Sequence, residues 1–167
     1  IPPSVAVYLC GVKLTVMTIQ QQKQLIRDFI DTVWNQGNTA VLEQFLHPGF
    51  IDHSLPGALP ANAGGLKQWV EMTHASFIPQ TVIEEQVAEN NTCIIKITMR
   101  MKHTGAWRGI TPTGLTVTTK GYRCFRLQDD RIIAHWGMVD GDMLEKKLLA
   151  AGVSKDLQLS FTRYYCL

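Results

Sequence analysis

The apolar period changes once along the chain, from a helical repeat to strict alternation, and that change limits the available folds. Leu25, Ile26, Phe29, Ile30, Val33 and Trp34 recur at steps that fill one face of a helix. Asn35-Gln36-Gly37-Asn38 ends it, Gly37 supplying a permissive backbone. Thr39 is placed to cap a short second helix through Leu46, and Phe50 to His53 reads as a short extended piece. Leu55 to Gly65 reads as a loop, and a third helix is expected from Leu66 to Phe77. From Val82 the period is two. Val82 to Glu89 predicts a strand, Asn90-Asn91 a turn, and Cys93, Ile95, Ile97, Met99 and Met101 alternate with mostly polar residues. A further alternation runs from Leu115 to Leu127, and Asp129-Asp130 turns the chain into a last strand, Arg131 to Val139. Helices followed by hairpin-connected strands make an α+β domain with a mostly antiparallel sheet.

The chain's 167 residues suit one domain with a sizeable core, and 46% hydrophobic content excludes a disordered or low-complexity chain. A net charge of +2 gives no footprint for nucleic acid or an anionic membrane, and no apolar run is long enough to span a bilayer. Cys10, Cys93, Cys124 and Cys166 form no C-x-x-C pair, so neither a zinc site nor a disulfide framework is expected. Cys93 and Cys124 read as small buried hydrophobes in strands, a usage that suits the reducing cytoplasm.

The ends read differently from the middle. Residues 1–16 are apolar, with Pro2-Pro3 and a single charge at Lys13, and lack the marks of a secretory signal. Met17 directly precedes the amphipathic pattern and reads as an original start, making 1–16 an extension or an added edge strand. Residues 17–152 then form the domain and 153–167 a peripheral tail, whose Tyr164 and Tyr165 could pack on a partner subunit.

Strand parity brings out the residues of interest. His103 continues the apolar row Cys93 to Met101, and Arg123 falls on the row Leu115, Val117, Thr119, Gly121 if no bulge intervenes. His135 shares a face of the last strand with Ile133, Gly137 and Val139. Burying three such groups without partners would cost about 1–3 kcal/mol each, and more for the guanidinium. A concave, partly hydrated pocket is the cheapest arrangement. The alternatives are a satisfied core histidine, an Arg123 turned outward by a bulge, and Trp107 and Trp136 as plain core or interface aromatics.

Several segments also carry a resemblance. Val33-Trp34-Asn35-Gln36-Gly37-Asn38, Phe50-Ile51-Asp52-His53, Lys102-His103-Thr104-Gly105, Gly109-Ile110-Thr111-Pro112-Thr113-Gly114 and Arg131-Ile132-Ile133-Ala134-His135-Trp136, followed by Asp140, resemble the SnoaL-like polyketide cyclase and ester cyclase family in order and spacing. The resemblance covers about Thr18 to Gly152. It implies the nuclear-transport-factor-2-like cone, in which a curved antiparallel sheet wraps the N-terminal helices around a central pocket. It also implies an intramolecular aldol closure on a polyketide-like ester, without metal or cofactor, using a buried carboxylate as acid and base. The family's catalytic aspartate lies two residues after the histidine matching His135, and that position here is Gly137.

Asp52, His53 and His135 are therefore the candidate catalytic residues, with His103, Trp107, Arg123, Trp136 and Asp140 as candidate substrate contacts. An imidazole titrates near neutrality, and a guanidinium suits a carboxylate, ester carbonyl or enolate oxygen. Asp140 also reads as the cap of a helix over 141–150. Its parity sets it against the Asp-Arg-Asp relay that Asp52, Arg123 and Asp140 would supply for epoxide hydrolysis. The expected ligand is a small hydrophobic oxygenated molecule. The expected function is cyclase, isomerase or hydratase-type chemistry, or else hydrophobic-ligand binding or dimerisation without catalysis. The outer face of the last strand, with Ile132, Trp136 and Met138, is expected to pair a homodimer.

Overall fold

A computed structural model describes residues 6–9, 12–15 and 17–151, with side chains from Met17 onward. β1 (Ala6–Leu9) and β2 (Val12–Thr15) pair antiparallel in a small sheet of their own, so the described part of this segment adds no edge to the main sheet. The tail expected at 153–167, with Cys10 and Cys166, lies outside the described residues.

α1 (Ile19–Phe29) starts at a capping box, in which Thr18 Oγ1 accepts from Gln21 N–H and the Gln21 side chain accepts from Thr18 N–H. It buries Ile26 and Phe29 and then widens into a π-helical turn, Ile30–Asn35, closed by Gln36 N–H donating to Asp31 O. A 3-10 turn, Thr39–Val41, leads into α2 (Leu42–Phe45). Thr39 does not cap this helix as expected: it lies inside the 3-10 turn, and its hydroxyl donates to Glu71. β3 (Leu46–Asp52) is longer than the extended piece the sequence suggested. α3 (Ala63–Ser76) begins three residues early because Asn62 caps it through Gly65 N–H.

β4 (Phe77–Glu89), β5 (Thr92–His103), β6 (Thr116–Gln128) and β7 (Arg131–Val139) complete the main sheet in the order β3-β7-β6-β5-β4. β3 and β7 run parallel and the other neighbours antiparallel, so the five-stranded sheet is mixed and does not close into a barrel. β4 starts five residues before the predicted Val82. Pro79 interrupts the signal but is tolerated because β4 lies at the sheet edge. A last helix, α4, spans 141–151.

The helices fill the inner face, where Phe29 meets Phe125 and Phe45 edge-on with ring centroids 5.9 and 5.7 Å apart. One parity expectation fails on β7. Arg126 pairs with Ala134 and Leu127 with Ile132, leaving Ile133 as a bulged extra residue. Ile132 is therefore fully buried in the core and belongs to no outer face, while His135 still points inward. Of the two cysteines among the described residues, Cys93 is buried and Cys124 half-buried on the outer face.

Candidate active site

The parallel pairing of β3 with β7 sets Asp52 opposite His135. Both are almost wholly buried, and His135 Nδ1 lies 2.8 Å from Asp52 Oδ2. The other carboxylate oxygen, Oδ1, accepts from Ser54 N–H at 2.9 Å and from Ser54 Oγ at 2.7 Å. Burial alone would raise the Asp52 carboxyl, but the hydrogen bonds and charge from His135 and Ser54 outweigh it and hold it below 3.8. His135 is lowered below 6.5, mainly by burial, with Arg123 adding to this and Asp52 opposing it. An ionised carboxylate facing a neutral imidazole places the ring proton on Nδ1. Nε2 is then left as a lone-pair acceptor, and it is buried with no hydrogen-bond partner. Phe125 stacks on this ring, centroids 4.8 Å apart and planes 20° apart, and fixes its orientation.

Arg123 projects inward from β6, directly opposite Gly137 of β7. No bulge intervenes between Gly121 and Arg123, so the parity argument holds, and the side chain is 4% exposed. Its guanidinium carbon lies 3.9 Å from the centroid of the Trp34 ring, and its Nε has no hydrogen-bond partner. Burial brings its pKa down to about 10, with the charge of Asp52 opposing. Gly137 leaves open the space beside the dyad: a Cβ there would sit 3.2 Å from Ser54 Oγ and 3.6 Å from His135 Nε2.

These groups line one cavity of about 230 Å³, whose walls include Trp34, Trp69, Phe77 and Trp107. Gly141 and Leu144 of α4 form part of its rim, as does Arg108, which is paired with Glu145 at 2.8 Å. The loop after β5 is welded to α3. Thr104 N–H and Gly105 N–H both donate to Ser76 O, and Ser76 Oγ donates to Ala106 O at 2.7 Å. Beyond that weld Trp107 and Ile110 bond reciprocally, and Trp107 packs between Trp69 and Phe77.

Of the residues expected at the site, Asp52, His135, Arg123 and Trp107 are brought together around the cavity. The others are placed elsewhere. His53 is exposed and stacks on Trp136 on the outer face of the sheet, ring centroids 4.6 Å apart, because it follows Asp52 with opposite parity. His103 is buried as its row requires, but its Nδ1 accepts from Thr113 N–H at 3.2 Å beneath the loop, outside the cavity lining. Asp140 caps α4 by accepting from Met143 N–H at 3.0 Å and is exposed. Trp34, Ser54 and Trp69 also line the cavity, although no sequence signal singles them out. Trp34 and Trp69 lie on apolar helix faces, where an aromatic reads as core. Among the described residues, no three His, Cys, Asp or Glu side chains cluster as a metal would need.

The sequence pattern of the SnoaL-like polyketide cyclases matches residues 24–148. The chain belongs to that family. No curated protein matches it by sequence. Solved structures resemble it closely in fold. TsrD from Streptomyces laurentii has a TM-score of 0.70 at 19% identity, the match covering 80% of this chain and 98% of that one. AclR from Streptomyces galilaeus has a TM-score of 0.69 at 20% identity, covering 78% and 97%. A SnoaL-like polyketide cyclase from Agrobacterium tumefaciens has a TM-score of 0.63 at 13% identity, covering 79% and 99%. At such identities the likeness is one of fold. In this SnoaL-like chain Gly137 lies opposite Arg123 and lines the cavity.

Proposed function

We infer that this SnoaL-like protein is an acid/base enzyme acting on a small, largely apolar carbonyl compound, and that the Asp52–His135 dyad does the proton work in place of a carboxylate at position 137. The observation that carries this reading is the 2.8 Å dyad, whose unpartnered Nε2 sits in the wall of a cavity that also contains a buried guanidinium. His135 Nε2 takes a proton from the carbon next to a carbonyl and becomes an imidazolium facing ionised Asp52. The electron pair moves onto the carbonyl oxygen, where Arg123 stabilises the resulting enolate. Attack of the enolate carbon on a second carbonyl of the same molecule closes a ring. The imidazolium then returns its proton to the new alkoxide, which restores the starting state.

A cavity of about 230 Å³ walled by indoles suits a flat molecule of about two fused rings. The test is exchange of the α-protons of 2-tetralone in deuterium oxide. The wild type should accelerate exchange and His135→Gln should not. Equal rates for the two proteins would sink the reading.

A second copy of the chain is the proposed partner of the outer face. Trp136, Met138, Tyr122 and Ile94 are 41%, 77%, 54% and 42% exposed there, and they adjoin one another across β7, β6 and β5. Sedimentation should give a dimer that Met138→Glu converts to monomer, and a wild-type monomer at micromolar concentration would refute it.

A further inference from the structure

Among the described residues, three buried nitrogens on cavity-lining side chains have no hydrogen-bond partner: Arg123 Nε, His135 Nε2 and Trp34 Nε1. The first two are used by the reaction above. The third is not, and an indole N–H can only donate.

The fold fixes the backbone around Trp34. The π-helical turn Ile30–Asn35 brings it off the regular α-helical path, and such turns recur at functional sites. Its backbone is bracketed on both sides. His74 Nε2 donates to Trp34 O at 3.1 Å, and the next residue, Asn35, grips the edge strand β4. The Asn35 amide donates to Thr81 O at 3.1 Å and accepts from Thr81 N–H at 2.7 Å. Gly37, at φ +70°, lets the His74 ring approach so closely that a Cβ there would fall 2.9 Å from it. The sequence Trp34-Asn35-Gln36-Gly37 is thus a mounting whose buried, unpartnered side-chain atom is the indole N–H.

The ring lies against the Arg123 guanidinium, 3.9 Å from centroid to Cζ, so both side chains belong to one wall of the cavity. A carbonyl oxygen has two lone pairs and gains charge as it becomes an enolate, so it can accept from both at once. We propose that Trp34 is a further catalytic residue, whose indole N–H donates with Arg123 to the substrate oxygen that becomes the enolate. This rests on the acid/base reading of the cavity.

Two probes of one shape, 2-naphthol and naphthalene, separate the oxygen contact from ring packing. The wild type should prefer 2-naphthol. Trp34→Phe keeps a ring beside Arg123 but loses the donor. It should weaken 2-naphthol about tenfold while naphthalene changes less than about twofold. In 2-tetralone exchange the same variant should lower kcat about tenfold with KM nearly unchanged. Should Trp34→Phe not fold, 3-benzothienylalanine at position 34 removes only the N–H and should give the same pattern. Unaltered 2-naphthol affinity, or equal losses for both probes, would overturn the role of Trp34 and leave the dyad standing. A wild type that exchanges 2-tetralone no faster than His135→Gln would instead bring down the reading on which it rests.

Discussion

Asp52 and His135 come from strands that lie 83 positions apart in sequence and run parallel, and their side chains meet at 2.8 Å inside the sheet's concave face. The arrangement fixes the imidazole tautomer without a carboxylate on β7 itself. Asp52→Asn keeps the shape, but its amide can donate to Nδ1, which would move the ring proton to Nε2 and remove the base. Exchange of 2-tetralone protons should fall by about 10³-fold or more with the fold intact by circular dichroism. A loss under tenfold would show that the carboxylate is not orienting the base.

Acidity should act on stability and activity in the same direction. Both members of the dyad have lowered pKa values when folded, so below their ordinary values the unfolded chain takes up protons that the folded one refuses. Their contribution is fully present above about pH 6.5. It is lost first as pH falls from there through the folded value of His135, and further below about pH 3.8 as Asp52 is protonated. Activity should have an acid limb below pH 6.5, where His135 ceases to be neutral. Urea titrations and exchange rates across this range would measure both. An acid limb above pH 7 would contradict the environment described for His135.

Arg123 is costly to the fold. Its guanidinium is buried, its Nε is unpaired, and its pKa is pulled down to about 10 by desolvation. Arg123→Met should therefore leave stability unchanged or raise it by about 1–3 kcal/mol, while reducing the preference for 2-naphthol over naphthalene to what the Trp34 N–H alone supplies. Chemical denaturation paired with the two binding titrations tests this. A stability loss of about 2 kcal/mol or more would mean that the guanidinium serves the fold.

Gly105 marks the weld between α3 and the loop carrying Trp107. A Cβ there would lie 2.0 Å from Ala75 O, a backbone atom that cannot yield without moving the helix or the loop. Gly105→Ala should destabilise by about 1–3 kcal/mol in urea and reduce 2-naphthol affinity, since the loop supplies the Trp107 wall. Unchanged values in both measurements would show that the loop is not held at this point.

Much of the fold was legible because the sheet alternates over long strands with clear turns at Asn90-Asn91 and Asp129-Asp130, all four at positive φ. The inward placement of Arg123 and His135 followed from that parity. What escaped was irregular or non-local. The bulge at Ile133 leaves no mark on an apolar run, so Ile132 was assigned to the wrong face. Asp52 was legible as a candidate, but its companion His53 differs from it only in parity, on a strand too short and too interrupted by Pro48 and Gly49 to show one. The roles of Trp34 and Trp69 depend on a cavity that forms when helices and sheet come together, and an apolar helix face looks the same whether it lines a void or fills a core.

The proposed chemistry requires His135 to be a neutral base, protonated on Nδ1 and held by ionised Asp52. The long-range ¹H–¹⁵N spectrum of its imidazole at pH 7 reads this directly, with His135→Gln identifying the signals. The result expected is the Nδ1–H tautomer with an unprotonated Nε2, switching to the Nε2–H tautomer in Asp52→Asn. An imidazolium at pH 7, or the Nε2–H tautomer in the wild type, would contradict that chemistry.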